Sequence, residues 1–91
     1  MKNLSAVPVP AAGLTVKQIG TETIILTESG EQLHTLDQTG TYVWSEIDGK
    51  KSLGQILDGI CDEYDVSRER AQADLIEFIG ALEEKQIIIF G

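Results

Sequence analysis

The chain has 91 residues, which is room for one domain. Its seven basic and fifteen acidic side chains give a formal net charge of −8, so the surface of this domain is acidic. That charge disfavours nucleic acids and anionic membranes, because both attract proteins through lysine and arginine. It leaves a basic or neutral peptide, or a basic patch on a protein, as the expected partner. The single cysteine permits no internal disulfide, which is typical of a reducing compartment. No apolar run approaches the ~20 residues that cross a bilayer. We therefore expect a cytoplasmic protein.

The first twelve residues differ from the rest of the chain. They contain both prolines and show no periodicity. Such a segment is expected to be a flexible N-terminal arm, residues 1–12, ahead of one domain over residues 13–91.

Three segments have the composition of β-strands. Leu14 to Ile19 alternates apolar and polar residues, and Thr23 to Thr27 is rich in β-branched side chains. Gln32 to Leu36 follows the turn signal Glu28-Ser29-Gly30. Together they predict a small antiparallel sheet.

Three helices are predicted from residues that can cap their amino ends: Asp37 (or Thr39), Ser52 and Ser67. Gln55 completes a capping box with the second of these, and Gly49 is suited to end the first helix. Gln86 to Phe90 is a candidate last strand. This order predicts an α+β, winged-helix-like fold in which a three-stranded antiparallel sheet is followed by three helices.

The side chains that carry out catalysis are sparse. One histidine and one cysteine make a metal site or a catalytic triad hard to build. Cys61 falls on the apolar stripe of the second helix, where a small core residue is favoured over a reactive thiol. The glycines form no phosphate-binding pattern. We expect no catalytic residue, no metal, no cofactor and no enzymatic activity.

The segment Leu36-Asp37-Gln38-Thr39-Gly40, followed by Val43-Trp44 and Ile47-Asp48-Gly49-Lys50-Lys51-Ser52, resembles the PqqD-like family. The family takes its name from pyrroloquinoline quinone biosynthesis protein D, and the resemblance covers residues 14 to 90. It implies a non-catalytic peptide chaperone that binds the leader segment of a ribosomally synthesised precursor peptide. The leader would add as a fourth strand beside the third strand. The chain would then present it to a modifying enzyme of the radical S-adenosylmethionine type.

This resemblance places a peptide groove between the third strand and the third helix. The expected peptide-binding residues are Gln32, Leu33, His34, Thr35, Asp74, Phe78, Ala81, Leu82 and Lys85. Phe78 is expected to form an apolar floor, Ala81 to leave room for a peptide side chain, and Asp74 to pair with a basic residue. A purely structural role in the core is the alternative for Phe78 and Leu82.

A winged-helix DNA-binding or regulatory domain is the alternative function. Its recognition helix would be the third helix, with Arg68 and Arg70 near the amino end. The net charge, Asp74 and Glu77 disfavour it. We therefore expect a precursor peptide and a modifying enzyme as partners, no nucleic acid or membrane, and a monomer or weak dimer.

Overall fold

The computed structural model describes residues 3–28, 30 and 33–90. Within them the elements are, in chain order, β1 (Pro8–Pro10), β2 (Thr15–Ile19), β3 (Glu22–Leu26), β4 (Leu33–Leu36), α1 (Gln38–Glu46), α2 (Leu53–Glu63), α3 (Arg68–Glu84) and β5 (Ile88–Phe90). The predicted α+β, winged-helix-like arrangement of a three-stranded sheet followed by three helices is confirmed. No helix in the described ranges is both long and apolar enough to span a lipid bilayer.

The main sheet is an antiparallel meander with the strand order β2-β3-β4. Its register pairs Thr23 with Leu36 and Ile25 with His34. Residues directly opposite one another share a face of the sheet, so these four side chains point toward the helices. The remaining two β4 residues, Leu33 and Thr35, lie on the other face. β4 is an edge strand of this sheet and runs directly into α1.

The cap of α1 is formed by Asp37, which decides between the two predicted caps. Its carboxylate oxygen Oδ1 accepts a 2.8 Å hydrogen bond from the backbone N–H of Gly40. The helix ends at Glu46, three residues before Gly49. Gly49 instead lies in the turn toward α2 with φ near +79°, a conformation that glycine adopts without strain.

The first turn of α2 is capped from two directions. Within the predicted capping box, the Gln55 N–H donates to Ser52 Oγ at 3.2 Å, and the Ser52 N–H donates to the Gln55 side chain at 2.9 Å. The next two amides are satisfied by the N-terminal arm. Leu53 N–H donates to the Ala6 carbonyl at 2.9 Å, and Gly54 N–H donates to the Leu4 carbonyl at 2.8 Å.

A second sheet of two strands joins the two ends of the described part of the chain. β1 pairs antiparallel with β5, and Pro8 lies opposite Phe90. The structure thus gives the N-terminal arm a strand and contacts with α2. The flexibility expected for residues 1–12 concerns motion and stays a prediction.

The carboxyl end of α3 closes with a left-handed residue that is not glycine. Gln86 has φ of 61°, the Gln86 N–H donates to the Glu83 carbonyl, and the Ile87 N–H donates to the Leu82 carbonyl at 2.9 Å. This is the Schellman pattern of helix termination. Because Gln86 and Ile87 complete the helix end, the last strand begins at Ile88, two residues later than predicted.

Aliphatic side chains from β3, β4, all three helices and the C-terminal segment form one core. Its buried members are Ile25, Leu36, Val43, Ile47, Leu53, Ile56, Leu57, Ile60, Ala71, Leu75, Ile79, Leu82, Ile87 and Ile88. The core fixes α3 against the sheet, and so fixes the position of α3 relative to β4.

Candidate functional site

A groove runs along the side of α3 that borders β4 and α1, and it consists of two adjoining cavities. The first, which we call the strand cavity, has a volume of about 290 Å³. The second, the helix cavity, has a volume of about 350 Å³. Asp37, Gly40 and Phe78 line both cavities, so together they form a waist between them.

The strand cavity brings together most of the residues predicted from the sequence. Its lining consists of His34, Thr35, Leu36, Asp37, Gly40, Phe78, Ala81, Leu82 and Lys85. Phe78 is half-buried and forms part of the apolar wall, while Leu82 is 3% exposed and also belongs to the core. Ala81 and Lys85 are exposed on the helix side of the cavity. The small Ala81 side chain leaves this side of the cavity open.

Two of the predicted residues, Leu33 and Asp74, lie outside the strand cavity. Asp74 lines the helix cavity and lies about two helical turns before Ala81 in α3. Leu33 lines neither cavity, and its side chain lies on the outer face of the sheet, where it is 63% exposed. Gln32 lies outside the described residues.

The waist depends on the absence of a side chain at Gly40. A Cβ placed there would lie 3.3 Å from Leu36 Cβ, Asp37 Oδ1 and Phe78 Cε1. The two carbon–carbon distances, to Leu36 and Phe78, are shorter than ordinary van der Waals contacts. Gly40 therefore lets the first turn of α1 approach α3 while the two cavities stay connected.

The helix cavity was not predicted from the sequence. Its apolar walls are Val43, Ile60, Tyr64, Val66, Ala71 and Leu75, and Asp37 and Asp74 are its charged lining residues. Tyr64 and Val66 follow the end of α2 and lie on either side of Asp65. These two apolar residues just after a helix are the sequence signal that could have indicated a segment lining a cavity. An apolar cavity with carboxylates in its lining is suited to a side chain of an extended peptide.

The charges along the groove are arranged asymmetrically. Lys85 lines the strand cavity, Asp37 lies at the waist, and Asp74 lines the helix cavity. Burial, and to a smaller extent the positive charge of Lys85, lower the pKa of His34. His34 is therefore held toward its neutral form, which leaves Lys85 as the cationic group of this cavity near neutral pH.

Both arginines at the start of α3 lie near carboxylates. Arg68 Nη1 is 2.7 Å from Asp58 Oδ1, and Arg70 Nε is 3.4 Å from Asp74 Oδ2. All four side chains are more than half exposed, so these ion pairs contribute little to stability. They nevertheless offset the positive charge that a recognition helix would direct at DNA.

Cys61 is half-buried and packs against the core, as expected of a small core residue. Across the described part of the chain, no group of three or more His, Cys, Asp or Glu side chains is placed to hold a metal ion.

The fold and site define a winged-helix-like recognition domain. Its features are an open antiparallel sheet, an edge strand that leads into a capped helix, and a groove between that strand and the last helix. The family described as "Coenzyme PQQ synthesis protein D (PqqD)" matches residues 22–88. The chain belongs to this family, which confirms the resemblance seen in the sequence.

The chain is similar to curated proteins from strains of Xanthomonas oryzae pv. oryzae that are named "PqqA binding protein". Two of these, from strains PXO99A and KACC10331 / KXO85, are each 31% identical to it over 58 residues. The match covers 64% of this chain and spans 63% of the relatives' length.

Two solved structures have the same fold. "TbiB1 in Complex with the TbiA(beta) Leader Peptide" is 29% identical, with a TM-score of 0.82 over 88% of this chain and 93% of that chain. "Lasso peptide synthetase B1 complexed with the leader peptide" is 17% identical, with a TM-score of 0.80 over 90% of this chain and 96% of that chain, and its likeness concerns the fold.

Proposed function

We propose that this chain is a non-catalytic peptide chaperone that binds the leader of a ribosomally synthesised precursor peptide. The leader adds as a strand at the β4 edge and extends along the groove beside α3. The chain then presents the bound precursor to a modifying enzyme, for which a radical S-adenosylmethionine enzyme is the expected type.

The observation that carries this proposal is the position of the groove directly beside an edge strand. An extended peptide can add main-chain hydrogen bonds to the edge of a sheet, while its alternate side chains enter neighbouring pockets. His34 and Leu36 point from β4 toward the helices, and Phe78 and Ala81 face them from α3. A peptide strand beside β4 would thus direct every second side chain into the groove.

The relatives support the choice of ligand. The solved structure that is 29% identical to this chain contains a leader peptide, and the curated relatives are named for binding PqqA. The sheet edge and the groove lie within the residues that match the family, so the proposed site belongs to the shared part of the chain.

Binding and presentation account for the groove better than catalysis does. Its lining is largely apolar, and its titratable members His34, Asp37, Asp74 and Lys85 are spread along its length. DNA binding is disfavoured by the net charge of −8 and by the carboxylates beside both arginines of α3.

The test is an amide-resolved NMR titration of the full chain with the precursor peptide encoded nearest to its gene. We expect shift changes concentrated in residues 33–37 and 74–85. The matched variants are Ala81→Trp, which fills the strand cavity, and Ala73→Trp, which places the same side chain on α3 outside both cavities. Both alanines are exposed, so both variants should fold.

Ala81→Trp should weaken peptide binding by about tenfold or more, which corresponds to about 1.4 kcal/mol, and Ala73→Trp should leave it unchanged. Equal effects of the two substitutions would contradict the location of the groove. If saturating precursor left the amides of β4 and α3 unmoved, the proposed function itself would be wrong.

A further inference from the structure

The two charged groups at the ends of the groove differ in sign. Lys85 lines the strand cavity beside β4, and Asp74 lines the helix cavity beyond the waist. Asp37, which lines both cavities, adds a second carboxylate on the Asp74 side of Lys85. We propose that these charges select the order and spacing of charged residues in the leader peptide, an inference that rests on the proposed function.

The spacing follows from the geometry of α3. Asp74 lies in α3, and Lys85, eleven residues later, is the C-cap of the same helix, so the two are separated along the helix axis by about 16 Å. An extended peptide advances about 3.3 Å per residue, and 16 Å therefore corresponds to about five positions. Side chains that face the same groove are separated by an even number of positions. The two selected peptide residues are accordingly about four or six positions apart.

The order follows from the direction of β4. The chain runs along β4 from His34, near Lys85, to Leu36 and then to Asp37 at the waist. Every strand pair in the main sheet is antiparallel, and a peptide that extends this meander does so in the same way. Its amino-terminal half therefore lies near Asp74, and its carboxyl-terminal half lies near Lys85.

The selected leader therefore carries a basic residue first and an acidic residue about four or six positions later. The basic side chain lies beside Asp74 and Asp37, and the acidic side chain lies beside Lys85. Arg70 also pairs with Asp74, but that contact is 3.4 Å long between exposed side chains, so a peptide cation can compete for the carboxylate. A leader with the reverse order would place like charges together at both ends.

The proposal is tested by selecting phage-displayed random peptides on the full chain. The charge-exchanged variant combines Asp74→Lys with Lys85→Glu. The control combines Glu77→Lys with Lys50→Glu, two exposed residues that line neither cavity. Both double variants keep the net charge of the chain, so non-specific attraction is matched between them.

Peptides selected on the unmodified chain and on the control should share the basic-then-acidic order. Each should bind the charge-exchanged variant about fivefold or more weakly, since two exposed charge pairs become repulsive. Exchanging the two charges in the peptide should restore binding to that variant, and high salt should reduce the difference.

Selected peptides that shift the β4 and α3 amides but show no charge order, or the reverse order, would overturn the inference and leave the proposed function intact. A selection that yields no peptide binding at β4 and α3 would overturn both.

Discussion

Two helical glycines provide a direct test of how α1 is held against α3. A Cβ added at Gly80, on the exposed side of α3, would have no heavy atom within 4 Å beyond its chain neighbours and the backbone of α3 itself. A Cβ added at Gly40 would lie 3.3 Å from atoms of Leu36, Asp37 and Phe78. The same substitution by alanine should therefore have opposite effects at the two positions.

Gly80→Ala should stabilise the protein. Alanine is favoured over glycine inside a helix by about 1 kcal/mol. With an unfolding entropy of about 2.1 cal/mol/K per residue, 91 residues give about 190 cal/mol/K, so Tm should rise by about 5 °C. Because Gly80 lines neither cavity, peptide binding should not change.

Gly40→Ala should destabilise it despite the same gain in helix propensity. Leu36 is anchored in the core, and Asp37 is held by its capping hydrogen bond to Gly40, so Phe78 is the neighbour that must move. Overpacking of this kind costs about 1–3 kcal/mol. The net result should be a loss of about 1 kcal/mol and a Tm lower by about 5 °C. Displacement of Phe78 should also narrow the groove and weaken peptide binding.

Thermal unfolding followed by circular dichroism measures both stability changes, and the NMR titration with the precursor peptide measures binding. A Gly40→Ala variant that raised Tm as much as Gly80→Ala and bound the peptide normally would refute tight packing at the waist. That result would mean that α1 shifts easily and that the waist of the groove is not fixed by packing.

Three further changes test separate features of the fold. Gln86→Gly should raise the free energy of unfolding by about 1 kcal/mol in urea titrations, since glycine adopts the left-handed conformation without the steric cost that glutamine has there. An unchanged or lower free energy of unfolding would argue against the Schellman closure. Thr23→Val should lower the free energy of unfolding by about 1–2 kcal/mol, because the buried Thr23 hydroxyl donates a 2.9 Å hydrogen bond to Thr41 Oγ1. Thr23→Val combined with Thr41→Val should cost less than the sum of the two single changes, and strict additivity would exclude the pairing. The His34 imidazole should titrate below its ordinary pKa of about 6.5 in the folded state. Its contribution to stability is therefore present above pH 6.5 and is lost as the pH falls through the folded pKa. An NMR titration that gives a pKa above 6.5 would contradict the burial of the ring.

The sequence carried enough local information to predict most of the element starts. Capping by Ser52 and Ser67 depends on residues within one helical turn, and the structure has both caps as predicted. The strand periodicity likewise indicated the main sheet. Local rules succeeded because each of these signals involves neighbours in the chain.

Contacts between distant segments were beyond the reach of these rules. Pro8 and Pro10 lie in a segment without periodicity, yet both belong to β1, since proline is tolerated in an edge strand. The partner of β1 is at the opposite end of the chain. The carbonyl groups of the arm that cap α2 carry no side-chain signature, so no motif could indicate them.

The candidate groove was predictable only in part. The helical periodicity of α3 places Phe78, Ala81 and Lys85 on one side, and all three line the strand cavity. The register of β4 depends on its pairing with β3 and cannot be derived from the four residues of β4, so the outward orientation of Leu33 has no local sequence signal. The helix cavity arises where three helices converge, and the packing angles that open it are not encoded in any single segment.

The pairing of β1 with β5 brings the two ends of the described chain side by side, with Pro8 opposite Phe90. A circular permutation that joins these ends by a short linker is therefore compatible with the fold. New ends opened between β3 and β4 would begin the permuted chain next to the edge strand. A leader peptide fused there would be tethered beside its own groove, and its high effective concentration would let even a weakly bound leader occupy the site.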